Sequence, residues 1–449
     1  MFPSGSGPHN GGLRTARPLL LPLGCALAIS GCAKYHPKPL DPPRLERQLR
    51  ERALPAGELD LEALTAAAFE FHSDLVVARA RVRAAEAGVI TAKARPNPSL
   101  AVGGGYTDSP ESPVVFRFEP SLVIETARKR DYRILESVKL GEAARLEYEE
   151  ARWKVRSRVR AALVERVFAA RALELLRAEA QARAQSVALL EKRLAAGEIA
   201  RPVVDAARIE AAGVAVAARA AEGQAAESLA NLAAAVGVAR DALAKATIQI
   251  EELDTPPPLE QLPFAKLQQA GLLHRIDVRR MLLEYAAAEA HLQLQVALQY
   301  PDIQIGPGYS FDEGHYKIAP GPSLAVPLFN RNRGPIAEAE AKRDETAGRF
   351  LALQAQAIAE MESSQARYQG ALAEYAETDS RTALARRQEL ATEKALAAGE
   401  EDRVAVAGQK VQSAVLARLR LESWHKAHMA LGALEDSVQN PLRGREVNP

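Results

Sequence analysis

The chain repeats itself. Glu191–Glu198 reads Glu-Lys-Arg-Leu-Ala-Ala-Gly-Glu and Glu393–Glu400 reads Glu-Lys-Ala-Leu-Ala-Ala-Gly-Glu, which sets Gly197 and Gly399 202 residues apart. Pro98–Tyr106 returns as Pro301–Tyr309 at an offset of 203 residues. Pro120-Ser121-Leu122 returns as Pro322-Ser323-Leu324, and Asp74 with Ala85-Glu86-Ala87 returns as Asp277 with Ala288-Glu289-Ala290. Landmarks in the same order at a near-constant offset are an internal duplication. The fold question reduces to one unit used twice.

Each unit opens with a moderate helix, about Asp74 to Lys93 and about Asp277 to Leu298, stopped by Pro98 and Pro301. Two short strands follow. Leu100, Val102 and Gly104 alternate with small residues, as do Ile303 and Ile305; the second strands run through Val114, Phe116 and Phe118, and through Tyr316, Ile318 and Leu324 to Leu328. Alternation of period two bounded by turn residues marks a hairpin. The connections expected are Thr107 to Pro113 and Ser310 to His315.

Composition then changes. Between Pro120 and Pro202, and again between Pro335 and Pro441, there is no proline, and Ala, Leu, Glu, Arg and Gln dominate. These are strong helix formers. Arg130 to Ala196 predicts a helix of about 100 Å at ~1.5 Å per residue, with Val155, Val159, Leu163 and Val167 at helical spacing. Gly197 breaks it, Pro202 opens a return helix over about Val203 to Val236, and the second unit reads the same over Ile336 to Ala398, Gly399 and Asp402 to Glu435. The resulting class is mainly α with a small β part: a duplicated helix, hairpin, very long helix, turn and helix.

The N-terminus reads as a targeting segment. Arg14 and Arg17 precede an apolar run from Leu19 to Ile29, and Ile29-Ser30-Gly31-Cys32 follows. The last four residues resemble a lipobox, with Cys32 the lipid-attachment residue; an ordinary secretory signal with an incidental Cys is the alternative. Cleavage there removes Cys25 and leaves one Cys, so no disulfide can form within the mature chain. Ala33 and Lys34 after the Cys favour the outer membrane over inner-membrane retention. The expected organisation is a signal peptide over 1–31, a lipidated segment over 32–59, repeat one over 60–250, a linker over 251–258, repeat two over 259–439 and a disordered tail over 440–449.

Formal net charge is +1, from 58 basic and 57 acidic residues. They interleave along helices, so nucleic acid is not an expected partner. Beyond the signal no apolar run approaches the ~18 residues that a spanning helix needs. An isolated hairpin is marginal in water, and four strands cannot close a membrane barrel. Other copies of the chain must complete the sheet.

Over nearly all of its mature length the chain resembles the TolC-type outer-membrane factors. The likeness lies in the duplication, the hairpin placement, the Gly turns and Pro327-Leu328-Phe329-Asn330-Arg331-Asn332-Arg333-Gly334 before the second long helix. Glu125-Thr126-Ala127-Arg128-Lys129-Arg130 resembles the stretch where heavy-metal-efflux members carry Gly-Lys-Arg, with Arg128 in place of that Gly. The resemblance implies a homotrimer with a twelve-stranded barrel in outer-membrane lipid and an α-helical tunnel. It also implies docking to a periplasmic adaptor and an inner-membrane pump, with no cofactor. On that basis Gly197, Glu198, Gly399 and Glu400 are the adaptor-docking tips; plain helix ends in a rigid hairpin describe the same geometry without a partner. Glu401, Asp402 and Arg403 are candidate entrance charges, the alternative being an acidic first turn that complements the helix dipole. The aspartate ring that some members carry six and nine residues past this Gly is replaced by Ala405 and Gly408.

No catalytic constellation is present: no phosphate loop, nucleophile elbow, HExxH or Cys pair for zinc. His425 and His428 share one helix face at metal-like spacing but lack a third ligand, and surface histidines are the expectation. Glu142, Glu147, Glu149 and Glu150 are expected on a solvated face. The leading function is a passive efflux duct for metal cations. The alternatives are a duct for drugs or other small molecules and a non-transporting lipid-anchored coiled-coil scaffold. An adaptor would need lipoyl-like segments, which this chain lacks.

Overall fold

The computed structural model describes residues 34–55, 57–108, 113–249, 253–262, 264–312 and 314–442. The expected signal segment and Cys32 lie outside them. Of the described residues, 34–49 belong to one unit, which carries most of α1 (Pro42–Arg50), a helix with no buried residue. Asp41 caps it by accepting from the Arg44 N–H at 3.2 Å.

Arg50 onward is the second unit. It runs β1 (Glu58–Leu59), α2 (Leu61–Phe71), α3 (Ser73–Lys93), β2 (Ser99–Tyr106), β3 (Val114–Ile124), α4 (Lys129–Ala195), α5 (Arg201–Val236), α6 (Arg240–Leu243) and β4 (Thr247–Ile248). The second repeat continues with α7 (Phe264–His274), α8 (Ile276–Ala297), β5 (Ile303–Asp312), β6 (His315–Leu324), α9 (Arg333–Ala398) and α10 (Arg403–Val438). The long helices thus begin and end within a few residues of the expected bounds. Two strand bounds differ. Ser310 to Asp312 belongs to β5, where Asp312 faces His315, so the second hairpin turn is tighter than expected. β6 ends at Leu324, opposite Ile303, the first residue of β5.

Sequence periodicity also misses α2, α7 and the parallel pair β1–β4, which together build the middle of the molecule. Val155, Val159, Leu163 and Val167 of α4 are buried there with Leu64 and Leu75, with Leu232 and Val236 of α5, and with Trp424 of α10. A second cluster joins Phe264, Met361, Tyr368, Leu434 and Val438. It also takes in Leu442, so the packed chain extends past the expected boundary at 439. The linker is fastened rather than loose: Trp424 Nε1 donates to Leu253 O at 2.7 Å and Tyr368 Oη to Pro257 O at 2.5 Å.

Below the middle, α5 packs on α4, α4 on α10 and α10 on α9; above it, α3 packs on α4, α4 on α8 and α8 on α9. The glutamates of α4 are paired, not merely solvated. Glu142 meets Lys139, Glu147 meets Arg81, Glu149 meets Arg152, and the largely buried Glu150 bridges Lys154 to Arg280 of α8. That arrangement holds one repeat to the other, which the local charge pattern does not reveal.

Candidate functional site

The chemistry of this chain lies at its two ends, a sheet and a pair of turns. Among the described residues no helix is long and apolar enough to cross a membrane. The sheet is four-stranded and antiparallel, in the order β2-β3-β5-β6. Its register sorts side chains by face. Leu100, Val102 and Tyr106 of β2 share a face with Phe116, Phe118, Leu122 and Ile124 of β3. Ile303, Ile305, Tyr309 and Phe311 of β5 continue that face, followed by Tyr316, Ile318 and Leu324 of β6. The opposite face holds Ala101, Gly103, Gly105, Arg117, Glu119, Gln304, Ser310, Asp312, Lys317 and Ser323, with Val115 and Val123 as apolar exceptions.

An apolar face that stays bare is the observation to explain. Ile318 is 71 % exposed and Val102 62 %. Tyr309, Phe311 and Tyr316 cluster toward the turn end, with ring centroids 5.8 and 5.0 Å apart from Tyr316. Strands of 8 to 11 residues with one apolar face and aromatics at an interface level have the dimensions and pattern of membrane β-strands. The charges on the small, polar face are locally paired, Arg117 with Glu119 at 3.4 Å and Lys317 with Asp312 at 3.1 Å.

At the far end, Gly197 (φ 76°) and Gly399 (φ 79°) occupy the left-handed region. A Cβ at either would meet open space, so backbone conformation, not crowding, is what glycine answers. Glu198 N–H donates to Arg193 O at 2.9 Å and Glu400 N–H to Ala395 O at 2.9 Å, closing both long helices alike. The return helices start differently. α5 has Ala200 as an unassisted cap with Pro202 in its first turn. α10 has Asp402, whose Oδ1 accepts from Ala405 N–H at 2.7 Å. That N–H, with Arg193 adding to it, holds the Asp402 carboxyl below the usual carboxylate range.

Arg193 is the residue that sequence reasoning missed. Its guanidinium pairs with Asp402, 209 residues away, and so ties the tip of one hairpin to the other. Of the expected entrance charges only Asp402 is so engaged; Glu401 and Arg403 stay exposed, as do Glu198 and Glu400. Lys192, Arg193, Glu198 and Arg403 line a shallow pocket of about 270 Å³ between the tips.

The tip contact is the last of a ladder between α4 and α10. Nearest the middle, Arg160 pairs with Glu435, their side chains 10 % and 4 % exposed. Glu179, 1 % exposed, meets Arg418, 34 % exposed, at 3.4 Å. At the tip Arg193 and Asp402 are 35 % and 52 % exposed. Between the first two rungs, His425 Nε2 lies 2.8 Å from Glu165 and its ring stacks on Phe168 at 4.3 Å. His428 is instead buried against Trp424 at 4.6 Å, so the two histidines serve different contacts. Among the described residues no three His, Cys, Asp or Glu side chains gather as a metal site would require.

Residues 64–238 match the family model for outer membrane efflux proteins. The chain is 26 % identical over 303 residues to the cobalt-zinc-cadmium resistance protein CzcC of Cupriavidus metallidurans, a match covering 66 % of this chain and 70 % of that one. Its fold is that of the outer membrane protein VceC of Vibrio cholerae, with TM-score 0.66, 20 % identity, and 85 % of this chain and 97 % of that one covered. It is equally that of CusC, whose structures are described as showing transmembrane channel formation, with TM-score 0.67, 15 % identity, and 87 % and 94 % covered.

Proposed function

We propose a role for this chain, whose residues 64–238 belong to the outer membrane efflux protein family: it is the non-enzymatic outer-membrane duct of a three-part efflux system. The observation that carries the reading is the bare apolar face of the sheet, backed by a small, polar one. Open sheet edges are not tolerated in hydrocarbon, so such a sheet has to close with others. A homotrimer supplies twelve strands, with the apolar face to lipid and the polar face lining the pore. The tips at Gly197, Glu198, Gly399 and Glu400 are then the end that a periplasmic adaptor engages, beneath which an inner-membrane pump supplies energy. Cys32 carries the lipid anchor. Labelling with palmitate is expected for the parent and lost in Cys32→Ser, and an unlabelled parent would remove the anchor from this account.

The ladder between α4 and α10 suggests how the entrance works. Buried pairs are costly to break by removing one partner, whereas exposed ones contribute about 0–1 kcal/mol. The seam is therefore firm at mid-height and weak at the tip, where local opening costs least. Arg193→Ala is expected to favour the open tip by up to roughly fivefold. Asp402→Asn, which keeps an acceptor for Ala405 N–H, should do the same. Single-channel conductance reads both, and unchanged opening in each would remove this pair from the gate.

The cargo we infer is metal cations, supported by the resemblance to a cobalt-zinc-cadmium resistance protein. Deletion of the gene should lower tolerance to cobalt, zinc or cadmium salts. Unchanged metal tolerance with raised drug sensitivity would reassign the duct to small organic molecules.

A further inference from the structure

Where the strands give way to helices, both repeats are fastened at one level. Arg130 donates to Lys93 O at 2.7 Å, and Arg133 to the Ala92 and Ala94 carbonyls at 3.1 Å, which ties the start of α4 to the end of α3. Asn332 (φ 57°) donates to Gln295 O at 2.8 Å and ties the start of α9 to the end of α8. Thr126 Oγ1 donates to Pro301 O at 2.6 Å and joins one repeat to the other. These junctions make a layer directly beyond the helix end of the sheet.

The carboxylates of this layer are engaged. Glu125 pairs with Arg133 at 2.6 Å, Asp302 with Lys129 at 2.6 Å and Asp131 with Arg128 at 3.3 Å. Lys93, Arg95, Arg331 and Arg333 are exposed, and none of the four has an ion-pair partner among the described residues. Asn330 Oδ1 accepts from Asn332 N–H at 2.9 Å, so the two asparagine side chains hold the backbone from which Arg331 and Arg333 project. Beside those arginines, Leu328 is 71 % and Phe329 100 % exposed, and Tyr300 at the end of α8 is 60 % exposed. The turn end of the sheet is unlike this one: Asp108 is exposed there, and Lys317 is paired with Asp312 at 3.1 Å.

We infer that this layer is a binding surface for anionic phospholipid, with the four free cations on headgroup phosphates and Leu328 and Phe329 in the acyl boundary. A guanidinium presents a fork of N–H donors that fits phosphate oxygens. Water would satisfy such charges equally, but it would leave a bare phenylalanine beside them. The zone where headgroups meet chains accounts for both, and aromatic side chains gather at that depth in membrane barrels. The apolar face of the sheet leads into it, since Val326, Leu328 and Phe329 carry exposed apolar surface onward from Leu324. A Lys or Arg beside an anionic surface is worth about a fivefold preference.

The inference rests on the duct reading, because it needs the sheet in a bilayer, and one measurement separates the two. The full chain is reconstituted in phosphatidylcholine vesicles with a trace of spin-labelled phosphatidylglycerol or spin-labelled phosphatidylcholine. Electron paramagnetic resonance then reads the immobilised fraction of each. Averaged over the whole lipid shell, phosphatidylglycerol should be favoured several-fold, and less so as salt is added. Arg331→Gln with Arg333→Gln, and Lys93→Gln with Arg95→Gln, should each lower that preference at least twofold, while Arg331→Lys with Arg333→Lys keeps most of it. Arg386→Gln with Arg387→Gln, exposed on α9 far from the sheet, should leave it unchanged. Immobilised phosphatidylcholine reports insertion of each variant, and the preference of the parent decides if a variant fails to insert. A parent without preference, or an equal loss in the Arg386 and Arg387 control, overturns the surface. So does inorganic phosphate that abolishes the preference where chloride of equal ionic strength does not, since that marks a free-anion site. No immobilised lipid of either kind overturns the duct reading itself.

Discussion

Glu435→Leu is expected to destabilise the chain by about 3 kcal/mol, the low end of the cost of stranding a buried cation, because Arg160 keeps Asp436 as a second partner. The carboxylate of Glu435 serves Arg160, Arg156 at 3.2 Å and the backbone N–H of Leu442 at 3.1 Å. Arg160 also donates to Gly432 O at 2.7 Å and to Asp436 at 2.9 Å. Gly432 permits this approach, since a Cβ there would lie 2.9 to 3.1 Å from the guanidinium. Loss of Glu435 leaves Arg160 with a half-exposed carboxylate and a carbonyl, and leaves Arg156 without its ion-pair partner on α10. Replacing both members, as Arg160→Leu with Glu435→Leu, removes the stranded charge and should recover much of the loss. Denaturation midpoints of the detergent-solubilised protein measure both. Equal destabilisation by the single and the double variant would contradict the pairing. The effect is large because this contact joins the middle of α4, in the first repeat, to the last turn of α10, in the second.

Gly306→Val is expected to be the most damaging change in the sheet. The β3–β5 ladder is interrupted between Phe118–Tyr309 and Leu122–Ile305, where Pro120 and Pro307 lie. Proline donates no ladder hydrogen bond, and the strands close on each other there. A Cβ on Gly306 would run into the Pro120 carbonyl oxygen, a backbone atom that no rotamer change can move away. Overpacking of this kind costs about 1–3 kcal/mol per site and at times more. In a barrel of three copies the clash occurs three times. Loss of the heat-modifiable oligomer from outer-membrane fractions is the expected readout. Gly321→Ala, where a Cβ meets open space, should leave it intact. Equal assembly of both variants would show that the close approach at Gly306 carries no weight.

Much of the scaffold is legible in the sequence because its signals are local. The turn glycines, the proline-free helix-forming stretches and the alternating strands each act within a few residues, and duplication reads each of them twice. Val155, Val159, Leu163 and Val167 could be picked out as an apolar stripe, and all four are buried. What escaped depends on distant partners. α2 has meaning only through α4 and α5, and β1 only through β4, all far along the chain. The glutamates of α4 look like a solvated face until Arg81 and Arg280 arrive from other helices. The same limit hid Arg193: in the sequence it is one basic residue in the last turn of a helix, suited to the dipole. Only folding brings Asp402 to it.

The central claim is that copies of this sheet close around a water-filled pore, and planar-bilayer recording tests it most directly. The purified full-length protein, added to one side of a lipid bilayer, is predicted to insert as oligomers and give discrete, uniform conductance steps. Arg193→Ala should raise the open fraction. Binding to the bilayer without any current steps, from protein that is folded by circular dichroism, would contradict the account and leave a lipid-anchored helical scaffold in its place.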